Sequence, residues 1–283
     1  MTAGNAIRDA VRRLEQAGVE SPQIDVDWLL ADLLSCNRSE IPLHAQTDLT
    51  AEDLDRLSRQ VERRTHREPL QHILGTANFL GYDFQVSAEV LIPRPETEML
   101  VELALEFLGP LPNPSVFDFG TGSGCIALAL AKRCPNSNII GSDISEEALV
   151  LARANAASLG ALERVEFRHA DGLAALAKGE QMDLILSNPP YIPTANIDAL
   201  QPEVRDHDPR LALDGGADGM QFHRLLADEG QSHLKSGAKL MAEFGDGQAA
   251  AIVELFSRAD WPSVTTANDL SHQPRIVIAS TGH

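Results

Sequence analysis

The chain has 283 residues, 43% of them apolar and 23% charged, with 23 Lys+Arg against 41 Asp+Glu and a formal net charge of -18. A chain of this length buries roughly three quarters of its unfolded surface, so one large domain or two unequal ones are expected without covalent staples. The charge argues against loose electrostatic adhesion to nucleic acid, though not against a local basic patch, and the apolar run Cys125 to Ala131 falls far short of the ~20 residues of a membrane span. Cys36, Cys125 and Cys134 form no C-x-x-C pair, as expected of a reduced, cytoplasmic protein.

Residues 1 to about 70 read as helices only. Ile7, Val11 and Leu14 mark the first, an amphipathic segment rather than a signal peptide. Ser21-Pro22 opens a second that runs through Leu34, and Leu54, Leu57 and Val61 mark a third. From His72 to Pro93 the texture changes to Gly75, Gly81, alternating Phe79, Tyr82, Phe84 and Val86, then Val90-Leu91-Ile92, which predicts a β-hairpin linker. A short helix over 95 to 107 follows Pro93 and Pro95. Strands are then predicted near 115 to 119, 138 to 143, 164 to 169, 182 to 187 and 237 to 244, with helices between them. That alternation predicts an α/β fold, a mainly parallel, Rossmann-like sheet with helices on both faces. After a helix over 247 to 257, apolar runs near 263 to 267 and 275 to 279 predict an antiparallel hairpin that closes a seven-stranded sheet. The division expected is therefore 1–71 helical, 72–94 hairpin linker and 95–283 catalytic domain.

Val116-Phe117-Asp118-Phe119 runs into Gly120-Thr121-Gly122-Ser123-Gly124 and the helix Cys125 to Lys132, which places the loop at the carboxyl edge of the sheet, where open α/β sheets bind ligands. Alternate glycines let backbone approach a ligand where a Cβ would collide. The spacing is G-x-G-x-G, not the G-x-G-x-x-G of dinucleotide binders. Asp143 ends the second strand, 25 residues after Asp118, and can accept two ribose hydroxyls. Asp171 ends the third, placed to receive an adenine amino group. Without a diphosphate cradle, these features fit S-adenosyl-L-methionine better than a nicotinamide. An ordinary strand-turn-helix with a solvated Asp would explain the glycine loop alone, but not its combination with Asp143 and the motif that follows.

The strand Asp183 to Ser187 runs directly into Asn188-Pro189-Pro190-Tyr191. An amide or aromatic NH₂ holds its lone pair in conjugation, so attack on a sulfonium methyl requires that nitrogen to be held and rehybridised. Asn188 Oδ1 and the Pro189 carbonyl can each accept one N–H. The two prolines stiffen the loop and remove competing donors, while Tyr191 can bound the plane of the target. Such a site acts by alignment, which can supply roughly 7–11 kcal/mol.

At this point the chain resembles the protein-(glutamine-N5) methyltransferases of peptide chain release factors, the HemK/PrmC type. Besides Gly120 to Gly124 and Asn188 to Tyr191, the likeness includes Glu68-Pro69-Leu70-Gln71-His72-Ile73-Leu74-Gly75, Val90-Leu91-Ile92-Pro93-Arg94-Pro95-Glu96-Thr97-Glu98 and Leu211-Ala212-Leu213-Asp214-Gly215-Gly216-Ala217-Asp218-Gly219. The resemblance implies a class I S-adenosylmethionine methyltransferase domain and an N-terminal recognition domain. Its implied reaction methylates the glutamine of the release factor's Gly-Gly-Gln loop and yields S-adenosyl-L-homocysteine. Carried over by position, Gly120, Thr121, Gly122, Ser123, Gly124, Asp143, Asp171, Gly172 and Asn188 bind the cofactor. Asn188, Pro189, Pro190 and Tyr191 take the glutamine, with Asn188, Pro189 and Tyr191 catalytic. Arg94 and Glu96 are implied near the methionine end. The family often carries a large residue, Trp in some members, where Gly172 stands, and usually Leu in place of Phe119. The release factor is the implied partner of a monomer that binds neither nucleic acid nor membrane directly.

Arg56, Arg59, Arg63 and Arg67 fall within about 80° of one another on a helical wheel. The spacings Glu52–Arg56 and Asp55–Arg59 favour a solvated, ion-paired face over a docking surface. Residues 192 to 218, with Pro193, Pro202 and Pro209, read as a substrate-side loop or a mobile surface loop. Cys125 is expected to pack as a small apolar residue, and no metal-ligand cluster is visible. Two other readings compete: amino methylation of adenine or guanine in nucleic acid, which should bring a basic target-reading domain, and a binding module without activity. Residues 1 to 75 carry 9 basic and 13 acidic residues, so the acidity is concentrated in the remainder. That distribution argues against the nucleic-acid reading.

Overall fold

A computed structural model describes residues 1–269 and 271–282. It divides into two compact units, Met1–Thr76 with Gln201–His207, and Ala77–Leu200 with Asp208–His283. Among the described residues no helix is long and apolar enough to cross a membrane.

The first unit is helical: α1 (Ala3–Gln16), α2 (Pro22–Leu34), α3 (Ala51–Thr65) and α4 (Leu70–Leu74), with a 3₁₀ segment at Arg38–His44. Helix α1 buries Ala3, Ala6, Ala10 and Leu14, while Ile7 and Val11, which mark it in the sequence, are half-buried against the same core. Pro22 opens α2, where its missing N–H would have no helical partner. Helix α3 starts at a capping box in which Asp53 N–H donates to Thr50 Oγ1 (3.1 Å) and Thr50 N–H to Asp53 Oδ2 (2.9 Å). These faces meet in a core that includes Leu14, Val26, Leu29, Leu30, Leu57, Val61 and Ile73. Helix α4 corrects the reading of His72 as the start of the hairpin texture.

Gln201–His207, including one helical turn at Pro202–Arg205, belongs to this unit rather than to a free loop. Arg67 makes a two-pronged bond to Glu203 (2.7 and 2.7 Å), and Arg64 lies 2.9 Å from Glu203 and 2.7 Å from Asp25. Burial opposes ionisation of Glu203, but the hydrogen bonds from Arg67 and Arg64 hold its carboxyl below the usual range. The arginine stripe is ion-paired throughout. Arg59 takes Asp55 as spaced, whereas Arg56 reaches Asp32 of α2 (2.7 Å) instead of Glu52, and Arg63 takes Glu68.

The second unit begins within β1 (Thr76–Phe79), which forms the hairpin with β2 (Tyr82–Gln85). Leu80 and Gly81 both have positive φ (51° and 83°), the two-residue turn that matches strand twist. Val90–Ile92, read as part of the hairpin linker, joins no strand. After α5 (Pro95–Leu108) come β3 (Ser115–Phe119), α6 (Cys125–Arg133), β4 (Asn138–Asp143), α7 (Glu146–Ser158), β5 (Val165–His169) and β6 (Met182–Ser187). The chain continues through α8 (Gln221–Glu229), β7 (Leu234–Glu243), α9 (Ala249–Arg258), β8 (Ser263–Asn268) and β9 (Pro274–Ser280). The strand order is β5-β4-β3-β6-β7-β9-β8, parallel through β7 and antiparallel where β9 enters between β7 and β8. Successive residues serve opposite faces: Val116, Leu184 and Leu186 pack in one core cluster, Phe117 and Ile185 in the other. A sheet covered on both sides requires such apolar runs. The order reverses at β3, between β4 and β6, which opens a crevice at the carboxyl ends of these strands.

Candidate functional site

A cavity of about 380 Å³ occupies that crevice. The chain leaves β3 through Gly120 (φ 71°), Gly122 (φ 53°) and Gly124 (φ 82°), all in the left-handed region. A Cβ at Gly120 or Gly122 would meet no atom within 4 Å, and both residues line the cavity with Thr121 and Ser123. Gly124 does not line it. A Cβ there would stand 3.0 Å from Leu128 Cδ1 and 3.3 Å from Ala152 Cβ, so the third glycine serves the packing of α6 on α7.

Asp143 lines the cavity at the end of β4. Its Oδ2 accepts Gly122 N–H (2.9 Å) and its Oδ1 accepts Ser145 N–H (3.0 Å), so it ties the glycine loop to the start of α7. Each carboxylate oxygen keeps a lone pair for a ligand. Asp171 and Gly172, after β5, also line the cavity. Beneath the loop, Asp118 is fully buried; its Oδ2 accepts Thr121 Oγ1–H (2.6 Å) and Ala127 N–H (3.3 Å), and its Oδ1 has no partner. Burial pushes this carboxyl up to about 7 despite those two donors.

Asn188 and Pro190 line the cavity, Pro189 is buried, and Tyr191 lies outside the lining. Asn188 Nδ2–H donates to Thr97 Oγ1 (2.9 Å), which donates to Glu243 Oε2 (2.7 Å). With one Nδ2–H held by Thr97, the orientation of the amide is fixed, and Oδ1 remains as its acceptor. Tyr191 is held at both ends: its hydroxyl donates to Glu243 Oε1 (3.0 Å) and its carbonyl accepts Gln248 Nε2–H (3.0 Å). Burial raises the Tyr191 phenol, and burial likewise raises Glu243 against the pull of Thr97, Tyr191 and Arg275.

The tetrapeptide is buttressed from behind. Ile192 N–H donates to Leu213 O (3.1 Å) and Gly215 N–H to Ile192 O (2.9 Å), which anchors part of 192–218 that the sequence leaves as a loop. A Cβ at Gly215 would come 2.8 Å from Pro190 O, and one at Gly219 (φ 75°) 2.3 Å from Tyr191 O, so both glycines are required by close backbone approach. Residues 209–212 line the cavity, as does Arg94, which pairs with Asp208 at 2.7 Å; Glu96 does not line it.

Four residues that sequence reasoning missed stand here: Asp118, Thr97, Glu243 and Phe222. Asp118 and Glu243 do leave a signal, a carboxylate inside an apolar strand run. Phe222, on α8, lines the cavity and meets Phe119 edge to face (centroids 6.1 Å apart). A Cβ at Gly172 (φ 60°) would approach Phe119 Cε2 to 3.2 Å and Leu225 Cδ2 to 3.1 Å, so the ring packing here excludes a larger residue without rearrangement. Cys125 lines the cavity, but burial pushes its thiol up to about 12 and leaves it unreactive. Among the described residues no group of His, Cys, Asp or Glu could hold a metal ion.

Residues 5–75 match the PrmC N-terminal domain and residues 97–212 the methyltransferase small domain. A release factor glutamine methyltransferase of Geobacter sulfurreducens is 43% identical over 265 residues, covering 93% of this chain and 91% of that protein. One of Koribacter versatilis is 41% identical over 278 residues, 98% of each. Among solved structures, a methyltransferase from Pyrococcus furiosus aligns with a TM-score of 0.53 at 17% identity, over 83% of this chain and all of that one, a likeness of fold alone.

Proposed function

The chain belongs to the release factor glutamine methyltransferases, and on that premise we propose that it transfers a methyl group from S-adenosyl-L-methionine to the side-chain amide nitrogen of the glutamine in a release factor's Gly-Gly-Gln loop. The observation that carries the mechanism is the Asn188 amide: it lines the cavity with one Nδ2–H held by Thr97, which fixes its orientation and leaves Oδ1 as the acceptor for an incoming NH₂.

The cavity suits the cofactor. Gly120 and Gly122 leave open space that any Cβ would fill, and Asp143 keeps acceptor capacity for ribose hydroxyls. The aromatic pair Phe119–Phe222 offers an apolar wall for a base, with Asp171 beside it in the lining. When bound, the cofactor supplies an electrophilic methyl group on a sulfonium.

The protein's work is alignment. Asn188 Oδ1 and the Pro189 carbonyl each accept one amide N–H, which holds the nitrogen as its lone pair leaves conjugation. Both acceptors gain strength as positive charge develops on that nitrogen, so they stabilise the transition state more than the bound substrate. The nitrogen becomes acidic once methylated and sheds its proton to water, so no resident strong base is required. The helical unit is the part proposed to recognise the release factor.

Incubation with methyl-labelled cofactor and, separately, a release factor, its Gln-to-Ala loop variant, DNA and RNA tests this. Label is expected on the release factor alone. Label on nucleic acid and not on the release factor overturns the reading in favour of a base amino methyltransferase.

A further inference from the structure

Thr97, inside the Val90 to Glu98 segment, and Glu243 carry no chemical role in the sequence reading, yet together they hold both polar ends of the Asn-Pro-Pro-Tyr loop. Thr97 stands in the first turn of α5 and Glu243 at the end of β7, residues 146 apart in sequence. Both are essentially sealed from solvent, at 2% and 1% exposure. A hydroxyl has one hydrogen. Thr97 donates it to Glu243 Oε2 (2.7 Å), so its oxygen can only accept from Asn188 (Nδ2 at 2.9 Å). Glu243 Oε1 meanwhile accepts the Tyr191 hydroxyl (3.0 Å).

The direction of these bonds matters more than their number. Ionised, as the Thr97 and Tyr191 hydroxyls and Arg275 favour against the opposing pull of burial, Glu243 only accepts, and it therefore orients both hydroxyls toward itself. An amide at the same place could donate to Thr97 instead. Thr97 would then be free to donate to Asn188 Oδ1, the Asn188 amide would turn over, and an NH₂ group would face the substrate's NH₂ group. We propose that Glu243, through Thr97, is a positioning residue that sets the hydrogen-bond polarity of Asn188, and that by also binding the Tyr191 hydroxyl it fixes both flanks of the glutamine-methylating loop. The inference rests on the glutamine methylation proposed above and adds two residues to it.

Three variants test it: Thr97→Val, nearly isosteric but without donor or acceptor, Thr97→Ser, which keeps the hydroxyl, and Glu243→Gln, which removes the fixed polarity. Steady-state methylation of a release factor is measured alongside cofactor affinity by calorimetry. Thr97→Val and Glu243→Gln are expected to lower kcat by at least about tenfold, with KM for the release factor and Kd for the cofactor each changed less than about threefold. Thr97→Ser is expected to restore kcat to within about threefold of the wild type. A structural role alone would shift the thermal midpoint and leave kcat of the folded fraction intact. Wild-type protein that labels release factor while Thr97→Val matches its kcat overturns the relay and spares the activity. Wild-type protein that fails to label release factor overturns the activity and the relay with it. Should Glu243→Gln not fold, the Thr97→Val and Thr97→Ser pair decides.

Discussion

Replacing Asp118 by Asn is expected to stabilise the cofactor-free protein at pH 8 while leaving it nearly unchanged at pH 4. Burial raises the Asp118 carboxyl from an ordinary ~3.9 to about 7. Between these values the unfolded chain has released the proton and the folded chain still holds it. Folding therefore takes up a proton, and stability falls as pH rises through the window from about 4 to about 7. Above it both states are ionised and the whole penalty stands. Three units at about 1.4 kcal/mol each set a ceiling of about 4 kcal/mol, and local relaxation should leave about 2–4. Asn keeps an oxygen to accept from Thr121 Oγ1 and Ala127 N–H, and puts an uncharged NH₂ where the partnerless Oδ1 stands. Thermal unfolding by circular dichroism at pH 4, 5, 6, 7 and 8 without cofactor should show a gap between variant and wild type that opens across this range and reaches several degrees at pH 8. A gap of constant size at every pH, or a variant less stable at pH 8, would refute the reasoning.

Phe222→Ala should weaken cofactor binding by about tenfold, since an edge-to-face pair and its buried area together contribute about 1–2 kcal/mol; calorimetry that returns an unchanged Kd removes Phe222 from the site. Gly219→Ala drives a Cβ to 2.3 Å from the Tyr191 carbonyl. It should abolish turnover and lower stability by more than about 2 kcal/mol, whereas Gly247→Ala, with nothing within 4 Å, should cost only its left-handed φ, about 1–2 kcal/mol, in a denaturant titration of each. Glu203→Ala leaves Arg67 without its carboxylate and Arg64 with Asp25 alone. A loss of about 1–3 kcal/mol is expected, with faster hydrogen exchange over 201–207; exchange at the wild-type rate would show that the ion pairs do not hold that segment.

Much of the fold is legible in the residues because the signals are local. Seven strands and the main helices follow from period and turn chemistry, and β3, β4 and β6 fall on their expected bounds. The long connection after Tyr191 was less legible. Its two anchorages, 192–194 against 213–216 and Glu203 on Arg67, join residues up to 136 apart, a spacing that no window of periodicity reads.

The same distinction runs through the site. Asn-Pro-Pro-Tyr and the alternate glycines specify the kind of chemistry, because an amide acceptor beside a stiff diproline has few other uses. Three glycines at one spacing nevertheless divide into two that open the cavity and one that packs helices, and only neighbouring side chains distinguish them. Thr97 and Glu243 look like an ordinary helix-start threonine and a strand-end carboxylate until β6 and β7 pair and α5 brings its first turn to them. Local sequence sets which groups can accept or donate. Packing alone decides which of those groups are sealed from water, and there a single carboxylate can dictate the direction of every bond around it.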